Sequence, residues 1–381
     1  MNNIAALYTF ELKKIGNRKI VWITAAVMLF ICILMSLSGV LFNSYTMDGV
    51  QISGYDYMIK NRTAARNLSG RSIDDALLTE MQEDRSQDYN EIYNFVWKIY
   101  GEDDGAVKRT NADSLYAKRQ SNLQEQWDTQ KLTSRETAYW QSKEASLPAH
   151  YTYEYAKGYK LILSEIAVLN IMLLLVTAVC LSGVFSDERL QKTDQITICC
   201  RNGRTPLYLA KILAGITFGL AAAVFLYTAA ALTSLLLYGP DGYTAALQII
   251  LPDSSRTLDA GGTVLLCFAL YLAAAILYSV MAMFLSAALK SSTAAMYFML
   301  GFMLLSLLVK IGPRFRVASQ IRSYLPANFL SMDCFTDNRL VPLLGAQLTN
   351  CQFILILYPA ISLIILMIGN IVYRHYQVSS R

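Results

Sequence analysis

Residues Leu161–Phe185 read LILSEIAVLNIMLLLVTAVCLSGVF, a run of 25 in which Glu165 is the one charged side chain. As a helix rising about 1.5 Å per residue, such a run crosses the roughly 30 Å hydrocarbon core of a bilayer. Five more runs have this character: Ile20–Phe42, Ile212–Tyr238, Val264–Leu289, Thr293–Ile311 and Phe353–Tyr373. The first is too long for a signal-peptide core and has no small-x-small cleavage site, so it reads as a permanent span. Trp22 and Tyr373 stand where interfacial aromatics are expected. Across 381 residues, 54% are hydrophobic and 16% charged, too apolar for a soluble enzyme of this size. The expected fold class is an all-α polytopic membrane protein with six transmembrane helices, at 20–42, 161–185, 212–238, 264–289, 293–311 and 353–373.

The net charge of +5 hides a segregation. Ser44–Gly158 carries 14 Lys/Arg against 18 Asp/Glu, a net of −4, and the remainder 19 against 10, a net of +9. The basic excess lies beside apolar spans rather than on one polar domain, which argues against a nucleic-acid footprint. Counted near the span ends, 12 basic residues fall on one side, among them Lys13, Lys14, Arg18, Lys19, Arg189 and Lys211, against 7 on the other outside the acidic region. That bias places both termini in the cytoplasm. The expected order is then an amphipathic cytoplasmic interfacial helix at 1–19, an extracellular helical domain at 43–160, a cytoplasmic loop at 186–211 and an extracellular loop at 239–263. A cytoplasmic turn at 290–292, an extracellular loop with a re-entrant helix at 312–352 and a cytoplasmic tail at 374–381 complete it.

In MNNIAALYTFELKKIGNRK, the residues Ile4, Leu7, Tyr8, Leu12 and Ile15 recur at helical spacing, with Glu11, Lys13, Lys14, Arg18 and Lys19 mostly off that stripe. The acidic region is rich in helix formers, and two to four helices packed by aromatic residues are expected there. Ser72 followed by Asp75 resembles an N-cap, and a helical period from Ile73 to Tyr100 runs up to Gly101. Thr133-Ser-Arg-Glu136 is a capping-box pattern, and Pro148 stops the helix that it opens. Asn61-Arg-Thr63 and Asn67-Leu-Ser69 match the glycosylation sequon, a pattern common by chance. In GPRFRVASQIRSYLPANFL, Val317, Ile321, Tyr324 and Leu325 form an apolar stripe that fits a surface-lying or re-entrant half-helix, or a plain loop.

Chemical motifs are few. No GxxxxGK[ST] loop, HExxH or GxSxG occurs, so nucleotide hydrolysis, zinc proteolysis and serine hydrolysis lack their residues. His150 and His375 are far apart, and seven scattered cysteines give no framework; a bridge between Cys334 and Cys351 stays open. Glu165 is the only carboxylate within the spans, close enough to the outer end to stay hydrated; a structural role fits it, and with Asn170 it is also the candidate for a polar pathway. Small residues such as Gly215 and Gly219 allow close helix packing, within this chain or across a dimer.

The polar segment SDERLQKTDQITICCRNGRTPLYLAK, Ser186–Lys211, separates the second and third spans. Ser186 or Asp187 is suited to cap a short helix with Glu188 in its first turn, Asn202-Gly203 to turn the chain, and Pro206 to open the next helix. The adjacent Cys199 and Cys200 lack further ligands for a metal. Glu188 closing one span, Gly203-Arg204-Thr205-Pro206, and Ala210-Lys211 entering the next resemble the inner loop of export-type ABC transporter permease subunits. FELKKI, Phe10–Ile15, is similar to that family's amphipathic connecting helix, and the span count and the Pro313–Pro326 segment fit its pattern. The family connects its first two spans briefly, so 43–160 is an unusually large insertion.

This resemblance implies a permease that moves a substrate outward by alternating access, powered by a separate ATPase subunit. The loop then docks on the ATPase as a coupling helix, through Glu188, Arg189, Asp194, Arg201, Gly203, Arg204 and Lys211. Further implications are no enzyme activity and no cofactor in this chain, ATP and Mg²⁺ being bound by the partner. The partners are ABC ATPase subunits, a second permease in a homo- or heterodimer, and membrane lipid, with no nucleic acid, in a bacterial cell membrane. The competing reading is a receptor or scaffold sensing an extracellular ligand through 43–160.

Overall fold

The computed structural model describes residues 2–47, 50–84, 87–101, 104–193, 196, 199, 203–289, 291–312, 314–343 and 345–375. The chain is mostly helical, with no closed sheet. Two helices come first, α1 (Asn2–Gly16) and α2 (Lys19–Leu41). The acidic region then folds as a β1/β2 hairpin (Ser44–Met47, Val50–Ser53) and α3 (Gly54–Leu68), α4 (Asp75–Glu83), α5 (Asn90–Tyr100), α6 (Asp104–Val107), α7 (Ala112–Thr129) and α8 (Ser134–Glu144). The bundle continues with α9 (Lys157–Leu181), α10 (Gly183–Leu190), α11 (Thr205–Tyr238), α12 (Leu247–Ile250), α13 (Ala260–Ala288) and α14 (Ser292–Leu308). Last come α15 (Arg316–Ser323), α16 (Pro326–Phe329), a β3/β4 hairpin (Leu340–Leu343, Ala346–Thr349) and α17 (Asn350–Arg374).

Five of the six expected spans are long and apolar enough to cross a membrane: Lys19–Leu41, Lys157–Leu190, Thr205–Tyr238, Ala260–Ala288 and Asn350–Arg374. The run expected at 293–311 gives the 17-residue α14. It stops at Leu308 because Val309 turns extended and its carbonyl accepts from Arg322 Nε of α15. At the centre of the bundle, α13 packs on α17, α9 and α11. Close packing within this chain explains Gly219, where a Cβ would collide with Ser279 Oγ of α13. Asn170 of α9 is fully buried: its amide donates to Pro326 O (2.6 Å) and accepts from Tyr278 (3.0 Å), pinning α16 against α9.

The acidic region has its own core, built on Ile73, Leu77, Phe95, Val96, Leu115 and Tyr151. Among the described residues it holds five helices of nine residues or more, exceeding the two to four expected. The Thr133/Glu136 capping box and the Gly101 stop, with φ 73°, form as the local chemistry predicts. The cap of α4 is Asp74 rather than Ser72. Ser72 is drawn into a bridge with Thr152 while Ile73 N donates to Tyr151 O, so the backbone is still extended there. The period from Ile73 to Tyr100 is likewise broken into α4 and α5. Cys334 and Cys351 are neighbours with free thiols, Cys351 Sγ lying 3.9 Å from Cys334 O.

Candidate functional site

Around the segment between the second and third apolar runs, three helices meet: α1, α10 and the start of α11. The helix entering this region departs from the expected shape. After a break at Ser182, α10 continues the line of α9 to Leu190, so Ser186 and Asp187 lie inside a helix and Glu188 falls in its last turn. The carbonyls loosened by the break are met by Arg18, which reaches Cys180 O and Gly183 O at 3.4 Å and pairs with Asp187 at 3.0 Å. Ser186 Oγ bonds back to Ser182 O rather than capping a new helix. On the other side, Arg204 is the N-cap residue of α11 and Pro206 occupies its first turn, as expected.

Lys211 is the centre of this region. It is 0% exposed, so its side chain is not at the surface where a docking partner would meet it. Its Nζ donates to Glu188 Oε1 at 2.6 Å, to Glu11 Oε2 at 3.3 Å and to Val184 O at 3.3 Å, and lies 5.2 Å from the Phe185 ring centroid. Lys14 also pairs with Glu188 and lies 3.9 Å from Glu11. Two lysines and two glutamates therefore balance in one knot, buried at Lys211 and Glu11 and half-buried at Lys14. A buried charge is tolerated when it is paired and its remaining hydrogen-bond capacity is filled. Here the pairing welds α1, α10 and α11 into one mechanical unit.

Arg189 bridges to another helix, with Nη2 2.5 Å from Ala287 O and Nη1 3.4 Å from Leu289 O at the end of α13. The same junction is tightened by Ser286 Oγ, which accepts from the Phe185 and Ser186 amides. Gly203 is buried beside the exposed Arg204. Asp194, Arg201 and Cys200 lie outside the described residues. Among the described residues, no three His, Cys, Asp or Glu side chains are grouped to hold a metal ion.

The remaining candidates, Glu165 and Asn170, are not in this knot. Glu165 is 6% exposed rather than hydrated, and both its oxygens accept from Ser36 Oγ of α2 at 3.1 Å. The sequence reading gave Glu11, Lys14, Arg18 and Asp187 no part in this site. The signal for Glu11 was present: Leu7, Glu11 and Ile15 are four apart, so the carboxylate shares a helix face with the apolar stripe.

A family model described as ABC-2 family transporter protein matches residues 5–368, from within α1 to within α17. No curated protein and no solved structure matches the chain.

Proposed function

The chain belongs to the ABC-2 family of transporter proteins, a multi-pass membrane permease component that works with an ABC ATPase, and from that premise we propose that it is the permease of an exporter. In this reading six helices span the bilayer, α14 being the shortest at about 26 Å. Both termini are cytoplasmic, and the folded acidic region stands outside as a large insertion. Segment 186–211 is the coupling element on which the ATPase docks. Two permeases pair, and nucleotide-driven motion of the ATPases switches an inward-facing cleft outward.

The observation that supports this reading best is the Glu11–Lys14–Glu188–Lys211 knot. Force applied to 186–211 enters α10 and α11 at its two ends, and the knot passes it to α1 as a rigid unit. Arg189 passes it on to α13. Glu188, Arg189, Gly203, Arg204 and Lys211 shape and hold the loop, and Asp194 and Arg201 meet the ATPase. ATP and Mg²⁺ belong to that partner. Glu165 and Asn170 are assigned to helix packing rather than to a polar pathway, because their partners, Ser36 for Glu165 and Pro326 and Tyr278 for Asn170, lie inside the bundle.

The test is co-purification with candidate ATPases from the same membrane, before and after combining Glu188→Ala with Arg204→Ala. Loss of association and of permease-stimulated ATP turnover is expected. Arg204→Ala alone removes an exposed side chain and serves as the variant that keeps the knot. Unchanged association and turnover in the double variant would remove the coupling role.

A further inference from the structure

At the end of α17 where the chain enters it lies a cavity of about 320 Å³, walled by α15 and α16, the 331–339 segment, Gln130 beyond α7 and Asn350. That volume is at the lower end of the range for small-molecule sites. Most of the polar groups around it are already spent on one another. Arg339 is bidentate to Asp337 at 2.9 and 2.7 Å and gives its third nitrogen to Ser319 and Arg316 O. Gln130 is used at both ends, by Thr336 O and by Asn338 N.

A few groups are left over, and they differ in character. Arg322 engages only its Nε, with Val309 O, which leaves both terminal nitrogens without an acceptor among the described residues. Asn350 is 1% exposed; its Oδ1 accepts from Tyr324 at 2.7 Å, while its Nδ2 has no partner. On the acceptor side, the Asp333 carboxylate has no counter-ion among the described residues. An unpartnered buried amide costs about as much as a lost hydrogen bond, so a wall that keeps one is poorly explained by packing alone.

Charge decides the class of ligand. Two arginines and two aspartates line the cavity. With Arg339 and Asp337 neutralising each other, one cation and one anion remain. A dianion such as phosphate would meet Asp333 with a single free arginine to oppose it, whereas a molecule carrying one charge of each sign satisfies both. We propose that this cavity binds a small zwitterion of the amino-acid or short-peptide class. Its carboxylate is taken by Arg322 and Asn350, and its ammonium by Asp333. The site joins the folded acidic region, through Gln130, to the first turn of α17, and it stands apart from the coupling reading of 186–211.

The experiment uses the full-length chain in lipid nanodiscs, titrated with the twenty free amino acids and their alanyl dipeptides. N-acetylated and amidated forms of each hit follow. At least one zwitterion is expected to bind, with either blocked form binding at least about tenfold more weakly, a loss of about 1.4 kcal/mol. Arg322→Gln and Asp333→Asn should each weaken it by a similar factor. Asp333 is exposed and unpaired, so Asp333→Asn should leave the unliganded melting midpoint unchanged and its loss of binding would report the ligand contact. No binding by any member of the panel below about 10 mM, equal binding of the blocked forms, or undiminished binding in both variants would each overturn the proposal.

Discussion

Lys211 and Glu188, at one end of the bundle, sit with Glu11 and Lys14 in a knot where charge answers charge. At the opposite end, the acidic region docks by a different chemistry. Arg119 gives its guanidinium to Pro252 O and Ser254 O as well as to Glu144, Trp140 Nε1 bonds to Asn338 O at 2.6 Å, and Gln126 reaches Thr336 O at 2.8 Å. At those loops the domain reads mostly backbone carbonyls, and ion pairs at Glu136–Arg316, Glu91–Lys157 and Arg66–Asp241 add to them. A lost partner therefore strands a buried charge in the knot, and a dipole where the domain meets loop carbonyls. The first should be the costlier, since an orphaned buried ion costs about 3–5 kcal/mol and an orphaned dipole about 1–3.

The widest gap should appear with Lys211→Met, which leaves Glu11 and Glu188 with Lys14 alone. A loss of about 3–5 kcal/mol is expected, read as a large fall in the thermal midpoint of the solubilised chain. Adding Glu188→Gln should recover part of it, because the stranded carboxylate is then neutral. If the double variant is no better than the single one, the knot is held by packing and the contrast between the two ends fails.

Next in size is Glu136→Ala. Glu136 is 3% exposed, and its oxygens accept from Arg316, the Leu340 amide and the Thr133 amide. Burial pushes its carboxyl up, but Arg316 and those amides outweigh that and hold it below the ordinary value. Removal orphans the Leu340 amide and releases α15, at a cost of about 2–3 kcal/mol. Limited proteolysis should then cut faster between α14 and β3, while the α1 end stays protected. Equal loss of protection at both ends would show that the two regions are not independent.

Glu91 sharpens the comparison through pH. This carboxylate of α5 ties the acidic region to the start of α9 through Lys157 at 2.9 Å and Lys160 at 3.6 Å. Burial pushes it up, yet the two lysines and hydrogen bonds from Lys157 and Asn61 bring it down to about 2. A folded value below the unfolded one gives stability that is complete above the ordinary carboxylate range and is lost as pH falls toward about 2. Between pH 5 and 3, wild type should lose about 1–2 kcal/mol more than Glu91→Gln. Parallel acid limbs for the two proteins would remove the pair from the account of how the domain is held.

What the chain reveals in advance follows from the range of each interaction. Spans declare themselves because one helix alone sets the apolar run, and the Thr133/Glu136 box because its partners are three residues apart. Glu188 and Lys211 stand out by position at span ends. Their partner Glu11 does not, since it is some 200 residues from Lys211 and looks like an ordinary polar face until Leu7 and Ile15 are seen in phase with it. The two hairpins are hidden because four-residue strands carry almost no alternation. The cap of α4 shifted from Ser72 to Asp74 because a distant segment, Tyr151–Thr152, claimed the backbone first. The shortening of α14 likewise depends on Arg322, a residue beyond its own run.

The smallest expected effect is Trp140→Phe, and it isolates the dipolar side of the comparison. Trp140 is buried against Tyr139 and stacks under the Arg256 guanidinium at 5.7 Å, so phenylalanine keeps most of the apolar contact and an aromatic face for the cation. What disappears is one N–H donated to Asn338 O, whose own side-chain oxygen is already without a partner. A cost of about 1 kcal/mol is expected, with a small cavity adding a few tenths, read as a small fall in the thermal midpoint. Because Asn338 also donates to Thr336 O and accepts no other bond there, its segment should loosen toward Gln130 before α8 does. Hydrogen exchange should rise at residues 336–340 and remain unchanged in α11. A cost above about 3 kcal/mol, the level of a stranded ion, would mean that backbone-directed docking is as unforgiving as the Lys211 knot, and the distinction between the two ends would then rest on position rather than on charge.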